Sequence, residues 1–145
     1  MTTADRLLAL VDREAPRLRA LSPAAASAPR APGKWSPKQV LGHLLDSANA
    51  NLQRFVRGQL EPSLAVPDYQ QDDWVRVQGY AEADWSELVA LWVSLNRHAA
   101  RVIARIPATA LTHPVRLGDK EPVPLSRIVE HYLEHVEHHL GQIPA

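Results

Sequence analysis

The segment HYLEHVEHHLGQI, residues 131–143, places four histidines within nine positions. Neutral imidazole is a common ligand for divalent transition metals, so the segment raises metal chemistry first. Set on a helix at about 100° per residue, Leu125, Ile128, Val129, Tyr132, Val136, Leu140 and Ile143 define an apolar arc. His139 falls inside the edge of that arc and His135 lies beside it, whereas His131 and His138 sit further out, on the solvated side. His135 and His139 are therefore an i, i+4 pair at the bundle rim, the spacing at which two imidazoles can share one ion. A solvated helix face, or a set of satisfied hydrogen bonders, would produce the same pattern.

A third ligand would decide between these readings, and His43 is the candidate. It lies about two turns into a helix that opens with WSPKQV, where Ser36 suits the N-cap, Pro37 the first helical position and Gln39 the third position of a capping box. Three neutral imidazoles leave a metal its full charge and an open position, which leans towards catalysis, because structural sites are usually closed by four protein ligands. Nitrogen donors suit Zn²⁺ and Ni²⁺ alike. The chain contains no cysteine. A metal must then be held by His and carboxylate, and any thiol chemistry needs a thiol brought in by a substrate.

Four segments with helical periodicity must position these residues. The first runs from about Thr3 to Leu21, with Pro16 expected to kink it. The second runs from Ser36 to about Gly58. The third starts at the DWSE capping pattern, Asp84 with Glu87, and stops before Pro107. The fourth starts near Leu125 and carries its apolar face to Ile143. Pro and Gly collect in connections 22–35, 61–83 and 107–124, the first read as a linker, and only HPVRL suggests a short extended piece. These features predict an all-α four-helix bundle, with 1–145 as a single domain. The 61–83 connection is long enough to return along a helix of about 36 Å. Helices two and three should then run parallel, with a short crossover helix around PDYQQDDWVRV. An up-down-down-up order follows, which brings His43 level with His135 and His139.

Composition narrows the functions further. Formal charge is zero at pH 7, so no basic nucleic-acid footprint marks the chain as a whole. The apolar LLALV near the N-terminus is short and closely flanked by charge, unlike a signal peptide. No apolar run approaches the roughly 20 residues needed to span a bilayer. A cytoplasmic protein acting on a small molecule, with neither nucleic acid nor membrane as partner, is the expectation.

KWSPKQVLGHLLDSANANLQRF, followed much later by HYLEHVEHHLGQI, resembles the DinB/YfiT-like superfamily of four-helix metal-binding proteins, and the PDYQQDDW crossover resembles its YfiT-like branch. The resemblance runs from Lys34 onward. It implies His43 as the first metal ligand and His135 and His139 as the other two, with no ligand role for His131 or His138. Gln142 stands where some YfiT-like motifs carry a histidine. The family implies two chemistries. In one, a transferase uses the metal to activate a low-molecular-weight thiol, as bacillithiol-, mycothiol- or glutathione-dependent relatives do, for attack on a small electrophile. In the other, a hydrolase uses the metal to activate water. A third reading is a non-catalytic dimerisation or stress-response module, a homodimer for instance, whose metal staples helices two and four.

Around the histidines, Ser47 and Arg54 continue the strip of His43 at i+4 and i+11. Arg54 could meet a carboxylate or phosphate of a substrate, or serve as a bundle salt bridge. Tyr69 and Trp74 could roof the site, or simply pack the crossover down. Asp46 and Ser47 are candidates to stand behind a ligand histidine, though Asp46 could equally face water. His98 and His113 read as structural or exposed, and Trp85 and Trp92 as core.

Overall fold

The computed structural model describes residues 1–144. Four long helices form a bundle: α1 (Thr3–Arg19), α3 (Pro37–Leu60), α5 (Trp85–Ala104) and α6 (Leu125–Leu140). Two short helices, α2 (Pro23–Ser27) and α4 (Gln71–Val77), lie in the connections. Leu7, Leu18, Leu41, Phe55, Trp92, Tyr132 and Val136 are fully buried and hold the four helices together.

Local chemistry sets the start of α3. Ser36 accepts from the Gln39 amide while the Gln39 side chain accepts from the Ser36 amide, and Pro37 occupies the first turn. Two of the orphan donors of the first turn are thereby satisfied, and His43 is fixed in the second turn. Asp84 caps α5 by accepting from the Glu87 amide. α1 continues through Pro16 to Arg19.

The contacts between helices define which ends meet. Phe55 of α3 packs edge-to-face on Tyr132 of α6, with ring centroids 5.7 Å apart. Nearer the end of α3, Gly58 leaves room for the Leu125 side chain; a Cβ there would lie 3.0 Å from a Leu125 methyl. At the opposite end, His43 meets His139, with centroids 4.7 Å apart. The N-terminal turns of α3 therefore lie beside the C-terminal turns of α6. Between α1 and α5, the Trp85 indole donates to the Leu18 carbonyl (2.7 Å) and Arg97 pairs with Asp12 (3.2 Å).

The structure departs from the all-α expectation in one respect. Strands β1 (Leu64–Val66), β2 (Pro114–Leu117) and β3 (Val123–Pro124) form a small sheet in that order, β1 parallel and β2–β3 antiparallel. The HPVRL piece is extended, as its sequence suggests, and its partner comes from some fifty residues earlier, with Leu64 paired to Val115. Leu64 and Val115 are both buried beneath the sheet. Connection 22–35 is likewise more than a linker, since it contains α2, and α6 ends at Leu140 rather than Ile143. The sheet ties connections 61–83 and 107–124 to each other, and the segment leaving β1 carries Asp68 and Tyr69 over the α3–α6 seam.

α6 ends against α1. Arg17 donates to the carbonyls of Leu140 (3.0 Å) and Ile143 (2.8 Å), and is itself held by Glu14 (2.5 Å). A guanidinium at the C-terminus of a helix meets both orphan carbonyls and the negative end of the helix dipole. Arg17→Met should cost about 1–3 kcal/mol in chemical denaturation, the magnitude of charge-assisted hydrogen bonds lost from a partly buried site. The loss should be accompanied by faster amide exchange over residues 137–143.

Candidate metal centre

The first turns of α3 and the last turns of α6 bring His43, His135 and His139 together. One ring nitrogen of each lies within 4.8 Å of the others, and no further His, Cys, Asp or Glu joins the cluster among the described residues. His43 is only 2% exposed, whereas His135 and His139 are half-buried at the rim. The Nε2 atoms of His43 and His135 stand 3.1 Å apart.

Hydrogen bonds behind two of the rings orient them. His139 Nδ1 lies 2.9 Å from Gln142 Oε1, an acceptor only, so Nδ1 carries the proton and Nε2 keeps its lone pair. His135 Nδ1 lies 3.4 Å from Ser47 Oγ. That hydroxyl already accepts from Asn51 Nδ2 (3.3 Å), and its second lone pair is available to the His135 N–H. Both rings then direct Nε2 lone pairs into the cluster. Behind His43 there is no partner: its Nδ1 is buried and unpaired, and Trp35 packs on the ring at 5.1 Å.

Burial keeps the rings neutral. Burial first, and the neighbouring His139 second, push His43 down to about 4. Burial first, then the surrounding imidazoles, push His135 down to about 3. His139 is also lowered, by burial and His138 against the opposing bond to Gln142. At neutral pH the cluster is therefore three uncharged N-donors.

These donors fit a divalent transition metal. Two imidazoles on one ion at ~2.0–2.1 Å in tetrahedral geometry stand about 3.3 Å apart, close to the His43–His135 separation. At that distance the His43 Nε2–H can donate to the His135 Nε2 lone pair, and a cation in place of that proton would bind the lone pairs of both rings.

The remaining sequence candidates fall into distinct places. Ser47 stands behind His135, and Arg54 and Tyr69 line a cleft of about 330 Å³ that also reaches His43, His135, Asn51 and Lys120. Trp74 does not border that cleft. It lies behind Tyr69, ring centroids 4.8 Å apart, in an adjoining groove on α3. Asp46 orients no histidine: its Oδ1 accepts from Tyr80 (2.7 Å) and Gln78 (2.8 Å), which fastens the end of the crossover to α3. Burial raises its pKa against those two bonds. His113 is structural, as expected, donating to the Gly58 carbonyl (2.7 Å). Sequence reasoning passed over Asn51 and Trp35. Asn51 had a readable signal, since it sits between Ser47 and Arg54 on the strip of His43. Trp35 lies just ahead of the Ser36 cap, where periodicity gives no face.

The class of protein is thus a helical bundle with a three-histidine cluster at the junction of two helices. A sequence model of the DinB superfamily matches residues 5–143, and the chain belongs to that superfamily. Two solved structures share the fold. YfiT from Bacillus subtilis, described as a probable metal-dependent hydrolase with an unusual four-helix bundle topology, superposes with a TM-score of 0.84 at 22% identity, covering 97% of this chain and 83% of that one. A mycothiol-dependent maleylpyruvate isomerase superposes with a TM-score of 0.79 at 14% identity, over all of this chain and 62% of that one. Among curated proteins, none matches the sequence.

Gly42, next to His43, faces the Tyr80 ring so closely that a Cβ would lie 2.2 Å from it. Gly42→Ala should displace Tyr80 from Asp46 and destabilise the fold by about 1–3 kcal/mol, the usual cost of overpacking. Tyr80→Phe, which keeps the ring and removes only the donor, should leave the Gly42 contact intact. A thermal melt of the two variants separates these contributions.

Proposed function

We propose that the chain is a metal-dependent enzyme in which His43, His135 and His139 hold one divalent ion, Zn²⁺ or Ni²⁺. The observation that carries this is the convergence of three neutral imidazoles, two of them turned by Ser47 and Gln142, with no fourth protein ligand among the described residues. A divalent ion held there supplies a Lewis-acid position that favours the deprotonated form of a thiol or of water.

Transfer of an external low-molecular-weight thiol to a small electrophile is the reaction favoured. Two clefts adjoin the cluster. One, of about 330 Å³, reaches His43 and His135, and the other, of about 260 Å³, reaches His139 and Gln142 and is bordered by Trp35, Arg30 and Lys34. Gln71 borders both. Two small molecules can thus approach one centre from two sides, as a transfer reaction requires. The chain has no thiol of its own to compete for the ion. The mycothiol dependence of the isomerase with the same fold agrees with this reading. In it, Arg54 and Tyr69 bind substrate, Trp74 steadies Tyr69, and Ser47 holds His135. The description of YfiT favours hydrolysis as the second reading.

The helix order proposed is up-down-down-up. It is supported by the Trp85–Leu18 and Arg97–Asp12 contacts, which oppose α1 to α5, and by the His43–His139 and Phe55–Tyr132 contacts, which oppose α3 to α6. The bonds from Arg17 to the end of α6, together with Arg6 pairing with Glu130 near its start, set α1 alongside α6 in the same direction.

Purified protein should bind about one equivalent of Zn²⁺ or Ni²⁺, and chelation should lower its melting temperature. His139→Ala should remove most of the binding, whereas His138→Ala, at an exposed neighbour, should retain it. Gln142→Leu should weaken metal affinity roughly 10- to 100-fold in chelator competition. Cobalt-loaded protein should develop a sulfur-to-metal charge-transfer band when an external thiol is added. Turnover of ester or amide substrates without any thiol would favour hydrolysis instead.

A further inference from the structure

Arg54 is the most conspicuous charge in the molecule. Its side chain is buried, the residue only 9% exposed, yet no carboxylate lies within ion-pair distance of it among the described residues. Its one protein hydrogen bond is long, from Nη1 to Asn51 Oδ1 at 3.5 Å. A buried guanidinium ordinarily has a bidentate carboxylate or several carbonyl acceptors, because an unpaired buried charge costs several kcal/mol in effective desolvation. Burial accordingly pushes its pKa down, with Tyr69 and Asp68 opposing.

The surroundings of Arg54 do not supply the missing acceptor. Asp68 borders the same cleft but is exposed, stands beyond 4 Å from the guanidinium and accepts from the Tyr69 amide (3.0 Å). Lys120, also exposed, borders the cleft from the β2–β3 turn. With Arg54 and Lys120 against Asp68 alone, the cleft lining carries a formal charge of +1. On the other side, the contacts from Arg54 to Asn51 (3.5 Å), Asn51 to Ser47 (3.3 Å) and Ser47 to His135 (3.4 Å) form one strip along α3 that ends at the histidine cluster.

We propose that Arg54 anchors an oxyanion subsite, so that the cleft takes a small organic acid or phosphate ester whose charged end docks on the guanidinium and whose reacting end lies at the three histidines. The proposal rests on reading those histidines as the reaction centre, and it adds the substrate class. Geometry bounds the size of the substrate. Eleven residues separate His43 from Arg54, about 16 Å along the helix, and the side chain reaches back towards Asn51, which shortens the span to the order of 10 Å. A cleft of about 330 Å³ lies at the small end of ligand sites. The electrophile is therefore a short molecule with its anionic group several bonds from the reacting atom. Tyr69, which borders the same cleft, stands beside that span.

The test uses full-length protein, metal-free and metal-loaded, with inorganic phosphate, acetate and butyrate as probes. In the wild type, an anion should shift the Arg54 side-chain Nε resonance and raise the melting temperature. Phosphate acting more strongly than the carboxylates would assign a phosphate ester, and the reverse order an organic acid. Arg54→Met should weaken anion binding at least tenfold and, with no anion present, should melt at or above the wild-type temperature, since a largely desolvated charge with no ion-pair partner has been removed. Arg54→Lys should keep the charge and lose most of the affinity, because the planar fork is gone. Arg57→Gln, at an exposed arginine paired with Glu61 on the same helix, controls for surface charge. The subsite is overturned if no anion moves the Arg54 resonance, or if anions stabilise the wild type and Arg54→Met equally. It is also overturned if anion-free Arg54→Met melts well below the wild type, which would make Arg54 a structural residue. Binding to metal-free protein keeps this outcome separate from that of the metal site: loss of metal binding with anion binding intact would sink the metal reading alone.

Discussion

The burial of His43 is the constraint on which the bundle depends. A neutral imidazole has one donor and one acceptor, and a buried ring should find partners for both. His43 finds only one, at Nε2. Its Nδ1 is unpaired, its Nε2 faces the Nε2 of His135 at 3.1 Å, and Trp35 closes over the ring. Leaving a buried polar atom unsatisfied costs roughly 1–3 kcal/mol. That cost is tolerable only if the surrounding packing fixes the position firmly and something outside the chain repays part of it. Firm packing comes from the capped start of α3 on one side and from Leu41, Leu44 and Leu45, all buried, on the other.

The partner helix must then present its last turn, the part of a helix that most readily frays. His139 is one residue from the end of α6. Arg17 answers this by donating to the terminal carbonyls, and Glu14 holds Arg17 in turn. α1 contributes no side chain to the histidine cluster, yet it determines whether the final turn carrying His139 and the Gln142 that orients it stays formed. At the other end of the seam, Gly58 and the Phe55–Tyr132 stack set how closely α3 and α6 approach.

The sequence revealed the parts of this arrangement that local rules govern. Period-3.6 patterns, with capping signals at the starts of α3 and α5, gave the four long helices, and the i, i+4 spacing together with the length of connection 61–83 gave the meeting of His43 with His135 and His139. What stayed hidden depends on long separations or on single contacts. The sheet pairs a three-residue strand with one some fifty residues away, and neither strand is long enough to show alternation. Asp46 reads as a possible partner for a histidine because it lies three residues from His43. Its actual partners, Gln78 and Tyr80, arrive from the crossover, whose path no local rule specifies. The role of Arg17 was invisible for the same reason: its acceptors are carbonyls more than 120 residues away.

The distribution of unmet polar needs separates the scaffold from the site. Natural folds satisfy buried polar groups almost everywhere and depart from that rule where function requires it. Three buried side-chain atoms lack a partner among the described residues: Trp92 Nε1 on α5, and His43 Nδ1 and Asp46 Oδ2 on α3. The indole of Trp92 carries the same kind of cost, in the apolar core on a different helix. The two on α3 lie within one turn of each other, on the helix that also carries the unpaired Arg54. Elsewhere the same helix is conventional, with a reciprocal cap, a proline in its first turn and a continuous apolar face. His43, Asp46 and Arg54 therefore gather along one side of one helix, facing α6 and the crossover, where closing them with protein groups would fill the space that a ligand needs.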